Sequence, residues 1–389
     1  MPTPDRSPLA ALLAAAAALN APAVRAEIAT ATSIDYRYTG YDEQPLPADR
    51  VAQGSPRRYR VDAHQVEITT PVDEQTQVAV RATHEAMSGS SPWFVLPAAG
   101  GGFSQVMSGA TIEDTRRELV VTMRREDAPA DAWTATASLS HEDDFRSTAL
   151  GIGRERPIDD RLTLGFGASV SRDIVEPTDA VERSRVLRED KHAVSAVASA
   201  TWVLDRDTTL QAGIQATFAR GFLDDPYKLA IVGPALLPDA RPDNRTQVSY
   251  LARWRRAFES ASLHADYRYA HDSWSVRAHT LDLAWYQRIG RAWWLVPSLR
   301  YHSQGEARFY APVHAADAAG ADHSSDYRLG GYGAWSARLS LRRSFGAHAF
   351  VLGYERYDSD EGLALGGADQ AVPALLEFER VFAGFDFAF

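Results

Sequence analysis

The sequence predicts an all-β protein, an antiparallel transmembrane β-barrel of about sixteen strands with short periplasmic turns and long external loops. Three observations predict it. An apolar leader precedes the body of the chain; segments of roughly ten residues alternate apolar with small or polar side chains; and the last segment carries an aromatic stripe up to Phe389.

The leader holds Arg6, then an Ala/Leu run from Leu9 to Leu19 closed by Asn20 and Pro22. Charge, apolar run and helix breaker stand in the order of a secretory signal. The run is about eleven residues, against the roughly 20 that cross a bilayer as a helix. Val24-Arg25-Ala26 offers small residues to a signal peptidase, so the signal peptide is expected at 1–26 and the barrel at 27–389. No later stretch is long and apolar enough for a membrane helix, which excludes a helical inner-membrane protein. The chain has no cysteine, and disulfides, thiolate metal sites and covalent c-type haem are excluded with it. A net charge of −10 argues against nucleic acid as a partner. No linker or composition shift divides the body of the chain, so one domain is expected.

The strands follow from the period of two. Leu162 to Ser171 alternates without a break, as do Leu210, Ala212, Ile214, Ala216 and Phe218 with their polar neighbours, and Trp133, Ala135, Ala137 and Leu139 with theirs. On this pattern strands are expected at 27–39, 58–70, 75–87, 114–126, 131–142, 146–156, 161–172 and 191–204 in the first half. The second half adds 208–220, 245–256, 261–271, 275–288, 292–304, 326–343, 347–358 and 375–389. The alternation of 58–70 slips near His64 to Val66, where a bulge is expected. Short connections such as 71–74 and 127–130 suit periplasmic turns, while 40–57, 88–113, 173–190, 221–244, 305–325 and 359–374 suit external loops. Acidic residues gather in such connections, as in Glu142-Asp143-Asp144 and Asp224-Asp225.

Alternation alone also fits a soluble β-sandwich. The last strand separates the two, because Val381, Ala383, Phe385, Phe387 and Phe389 form one apolar face, the assembly signal with which outer-membrane barrels end. The expected location is therefore the bacterial outer membrane, with the barrel-assembly machinery, outer-membrane lipid and lipopolysaccharide as partners. Tyr36, Tyr38, Trp202, Trp254, Tyr267, Tyr269, Trp285, Trp293 and Tyr301 stand near strand ends, where an interfacial girdle would place them.

Several strings carry a family resemblance: Ser108-Gly109-Ala110-Thr111-Ile112-Glu113-Asp114-Thr115-Arg116, Asp225-Pro226-Tyr227-Lys228 and Arg241-Pro242-Asp243-Asn244-Arg245-Thr246. Others are Ala265-Asp266-Tyr267-Arg268-Tyr269, Asp272-Ser273-Trp274, Arg277-Ala278-His279-Thr280-Leu281 and Ser298-Leu299-Arg300-Tyr301. With these the chain resembles the domain of unknown function three-five-seven-zero family of outer-membrane barrels. The resemblance implies a barrel, and a link to a periplasmic redox or flavin-attachment system as partner; it implies no activity.

The strand register points Arg253, Arg255, His264, Asp266, Arg268, Asp282, Tyr286, Arg300, His302, Arg338 and Arg342 into the lumen. A charge facing lipid at mid-depth costs roughly 2–4 kcal/mol, which favours that assignment. Two readings stay open: a basic strip for a small polar or anionic solute in a porin-like channel, or an internal salt-bridge network that fills the barrel. Pro and Asx residues in 225–228 and 241–245 suit a folded loop that caps its own turns or dips into the lumen. His271-Asp272-Ser273 suggests a barrel-embedded hydrolase, although positions i and i+2 do not ensure a histidine–serine contact. His64, His84, His264, His279 and His302 follow no metal spacing, and Gly100-Gly101-Gly102 lacks the context of a phosphate cradle. No catalytic residue, metal or cofactor is assigned.

Overall fold

Alternation becomes a closed wall when each strand pairs with the next and the last pairs with the first. The computed structural model describes residues 28–108, 112–318 and 320–389. The expected signal peptide at 1–26 and its cleavage point lie outside the described residues. The wall begins with β1 (Ser33–Glu43), β2 (Arg60–Pro71), β3 (Thr76–Gly89) and β4 (Ile112–Ala128). It continues through β5 (Asp131–His141), β6 (Phe145–Pro157), β7 (Leu162–Val175) and β8 (Glu189–Asp205). Next come β9 (Thr208–Gly221), β10 (Asn244–Ala257), β11 (Ala261–Asp272) and β12 (Arg277–Ile289). The last are β13 (Trp293–Gln304), β14 (Tyr332–Phe345), β15 (His348–Asp360) and β16 (Glu377–Ala388).

All neighbours are antiparallel, and β1 closes on β16 from Ser33↔Ala388 to Glu43↔Phe378. Closure removes both sheet edges, so the ladder satisfies the backbone around the whole circumference. Among the described residues no helix is long and apolar enough to cross a membrane.

Each of the sixteen expected segments holds one strand, with shifted ends. The first starts at Ser33 and runs on to Glu43. The fourteenth starts at Tyr332, because Asp326 accepts a hydrogen bond from the Arg328 N–H and turns Tyr327–Leu329 into a 3-10 helix. The bulge expected near His64 is absent: β2 keeps register with β1 and β3 throughout. The alternation slips there only because His64 is a polar residue on the outer face, where its ring accompanies Tyr36 and Tyr38.

Period-two patterning also separates the two faces. Phe166 on the outer face of β7 is 53% exposed, whereas Ser169, pointing inward from the same strand, is 4% exposed. Large apolar residues stand outward around the wall, among them Leu150, Ile152, Val194, Leu339 and Leu352. An exposed apolar belt of this extent has lipid as its solvent. The stripe Val381, Ala383, Phe385, Phe387 and Phe389 lies on that outer face; the Phe389 side chain is exposed and its N–H donates to the Thr32 carbonyl at 3.1 Å across the seam.

Short turns join strands at the Ser33/Ala388 end, and the long connections lie at the other. There, segments 222–243, 273–276, 305–331 and 361–376 pack into a small apolar core of Leu223, Trp274, Ala307, Phe309, Tyr310, Leu329 and Val372. The loops therefore form a folded cap.

A candidate luminal site beneath a loop cap

The register across β10 to β13 sets the luminal side chains in rungs. Arg253 stands opposite Asp266, Asp266 opposite Asp282, and Asp282 opposite Arg300. A rung on each side adds Arg255, His264 and Arg338, then Arg268 and His302. These residues and Tyr286 surround one luminal space of about 450 Å³. Arg342 lies apart from it, paired with Asp386 on β16.

Charge in this space is only partly compensated. Asp266 is held by Arg255, whose Nη2 donates at 2.9 Å, and lies 3.6 Å from Arg253; the Asp282 carboxylate accepts from Arg300 Nε at 2.5 Å. Arg268 is exposed to the lumen with no ion-pair partner among the described residues, and Arg338 reaches only the Ser298 hydroxyl at 3.4 Å. The space thus has five guanidinium groups against two carboxylates. His264 packs on Tyr286 with ring centroids 4.4 Å apart, and His302 Nδ1 lies 2.9 Å from the Thr280 hydroxyl. Both imidazoles are oriented as parts of the wall.

The cap is built on ionic pairs that link distant loops. Arg241 Nε donates to Asp239 at 2.6 Å and its Nη2 to Asp326 at 2.9 Å, with both carboxylates fully buried. Arg328 bridges Asp225 at 2.5 Å and Asp326. Burial alone would raise the Asp326 carboxyl, but Arg328, Lys228 and Arg241 hold it well below the usual carboxylate range. Burial pushes the Lys228 ammonium down to about 8; it donates to the Pro92 carbonyl and lies over the Tyr327 ring. Arg58 ties this centre to the wall, donating to Glu43 at 2.8 Å and to the Ala374 carbonyl at 3.1 Å. Tyr327 and Arg328 reach far enough inward to line a second cavity of about 400 Å³ against wall residues Tyr41, Met87 and Tyr357.

The segments 225–228 and 241–245 do hold a folded loop. Asp225 Oδ1 accepts from the Tyr227 N–H, Asp239 from the Asp225 N–H, and Asp224 from the Arg241 N–H. His271 and Ser273 are not brought together: the His271 ring faces outward beside Tyr250 and Tyr269, and Ser273 Oγ accepts from the Thr246 N–H. His64, His84 and His279 also face outward, so the five histidines considered for a metal divide between two sides of the wall. Asp114, Glu142 and Asp144 bring carboxylate oxygens within 4.8 Å of one another, and would be the ones to hold a hard cation. Burial pushes Asp144 up to about 6, and the Tyr227 hydroxyl donates to it. Of these acids, sequence patterning singled out Glu142 and Asp144 only as a loop cluster, and the Arg241–Asp326 and Arg328–Asp225 pairs carried no local signal.

The family model described as "Protein of unknown function (DUF3570)" matches residues 9–389. The chain belongs to the DUF3570 family. No curated protein matches it. Among solved structures, this DUF3570 barrel is similar to a bacterial polysaccharide outer membrane secretin, at 9% identity and TM-score 0.48, over 92% of this chain and 98% of that one. It is also similar to the CymD monoaromatic hydrocarbon channel, at 9% identity and TM-score 0.46, over 96% and 93% of the two chains. OccAB1 of Acinetobacter baumannii follows at 8% identity and TM-score 0.45, over 94% and 99%. Siderophore receptors match as well, and there the chain spans 54% to 61% of the receptor's length.

Proposed function

We propose that this protein is an outer-membrane barrel that admits small anionic solutes to an arginine-lined lumen, with passage gated by its external loop cap. The observation that carries the reading is the excess of guanidinium over carboxylate around one luminal space, with Arg268 and Arg338 in no ion pair among the described residues. Guanidinium groups stay charged at physiological pH, and a narrow low-dielectric passage screens them less than bulk water does. The carboxylates of the cap oppose anion entry weakly, because Asp225, Asp239 and Asp326 are each engaged by an arginine.

The gate follows from the cap, whose apolar core and buried ion pairs must separate before a solute passes from outside. Purified protein in planar bilayers under a salt gradient tests both parts. Anion-selective openings are expected, with the reversal potential moving toward zero in a variant carrying Arg268→Gln, Arg300→Gln and Arg338→Gln. Cation selectivity in the unaltered protein, or an unmoved potential in the variant, refutes the luminal reading. An Arg241→Ala protein that conducts no more often than the unaltered one refutes the gate.

A further inference from the structure

The outer wall carries a second basic array, two arginines and three histidines, which the luminal reading does not use. On β2 to β6, His64 stands opposite His84, His84 opposite Arg117, Arg117 opposite His141, and His141 opposite Arg146. All five side chains point away from the lumen and are exposed. At about 4.8 Å per strand the row is roughly 19 Å long. It begins inside the wall, since His64 is within β2, and reaches the rim at Arg146, beside the first residue of β6.

One residue pair nearer the membrane centre runs a parallel row: Val66 opposite Ala82, Ala82 opposite Leu119, and Leu119 opposite Leu139. The two rows together line one groove of about 660 Å³ on the outer wall. Among the described residues Arg117, His84 and His141 have no ion-pair partner, and the only carboxylate paired with the row is Glu176, 3.6 Å from Arg146. Charged side chains on a lipid-facing surface are costly unless something in the membrane compensates them.

We propose that this groove binds a phosphorylated lipid of the outer leaflet, as lipopolysaccharide is, with phosphate on the row of arginine and imidazole donors and acyl chain on the apolar row. The division of the groove matches an amphiphile: guanidinium and imidazole donors face the headgroup level, and aliphatic side chains face the hydrocarbon. Arg117 and Arg146 make charge-assisted contacts to phosphate oxygens, and His64, His84 and His141 donate ring N–H groups between them. A neutral lipid would leave Arg117 without an ionic partner, whereas His64 Nδ1 already has the Tyr36 hydroxyl at 2.8 Å and Arg146 has Glu176. The inference rests only on the membrane placement in the functional reading above, and not on what the lumen carries.

Native mass spectrometry of detergent-solubilised protein, titrated with diphosphorylated lipid A or its dephosphorylated form, tests it. The unaltered protein should retain the phosphorylated lipid, and a variant with Arg117→Gln, His141→Gln and Arg146→Gln should lose roughly tenfold or more in affinity for it, the weight of one or two charge-assisted contacts. Heat-modifiable migration on gels and an unchanged urea midpoint verify that the variant is folded. Equal retention by a folded variant, or equal binding of the dephosphorylated lipid, overturns the site while leaving the channel reading untouched. Recovery of the unaltered protein outside the outer-membrane fraction overturns both.

Discussion

Gly353 faces the lumen opposite Phe382, and a Cβ built on it would fall 2.1 Å from that ring's Cζ. The aromatic ring thus fills the space that a side chain on β15 would need. Gly353→Ala should force Phe382 aside and cost about 1–3 kcal/mol, read as a lower urea midpoint for loss of the heat-modifiable form. Adding Phe382→Leu should return part of that loss, because the two changes act on one contact. A Gly353→Ala protein as stable as its parent would contradict this packing. At the same scale, His64 shows how a residue can obscure its own register: it is a polar side chain at an outward position, and patterning by hydropathy alone reads it as a slip. The pairing with Tyr38 and His84 shows that the strand is regular.

The cap is the element whose stability should depend most on single charges. Arg241→Ala would leave Asp239 and Asp326 buried with a major partner gone, at a cost of about 3–5 kcal/mol. Hydrogen exchange across 222–243 and 305–331 should then accelerate while the wall strands stay protected; uniform exchange in both proteins would count against the ionic core. The cap should also respond to pH. Burial pushes both Asp144 and Asp224 up from 3.8 to about 6. A carboxyl raised on folding contributes stability that is full below its unfolded value and is lost as pH rises through the folded one. The cap should therefore loosen as pH rises from about 4 to about 6, the span between the unfolded and folded values. His314, lowered by burial, acts in the opposite direction, whereas Glu306 and Asp239 in the same loops are raised by burial and act with Asp144 and Asp224. Exchange in the cap, corrected for intrinsic rates, should be slower at the acidic end, and Asp144→Asn should flatten the dependence. A cap that tightens as pH rises would show that the histidine prevails.

At the scale of the whole molecule, closure depends on β1 meeting β16, two strands more than 300 residues apart in the chain. Loop-closure entropy opposes such a contact until the rest of the wall exists, so the seam is expected to form late. The outward stripe from Val381 to Phe389 is expected to be the surface that the assembly machinery engages. Deleting Phe389 should lower the folded, heat-modifiable fraction in the outer membrane without changing the urea midpoint of the barrels that do form. Unchanged yield in that deletion would remove Phe389 from the assembly signal.

Sixteen strands, their faces and the inward direction of the arginine set were legible in the sequence, because a strand's side chains alternate with period two and a charge facing lipid is costly at mid-depth. The rungs themselves were not legible. That Arg253, Asp266, Asp282 and Arg300 lie in line depends on the relative register of four strands, and each sequence segment is compatible with several registers until its neighbour is in place. The outer row from His64 to Arg146 was hidden for the same reason: five unremarkable residues become one surface only when five strands align. The cap was least legible. Turn-forming residues in 225–228 and 241–245 showed a folded loop, but its partners Asp326 and Arg328 come from another loop 85 and 103 residues away. Contacts that no local period encodes are decided by where the closed barrel brings its loop ends together.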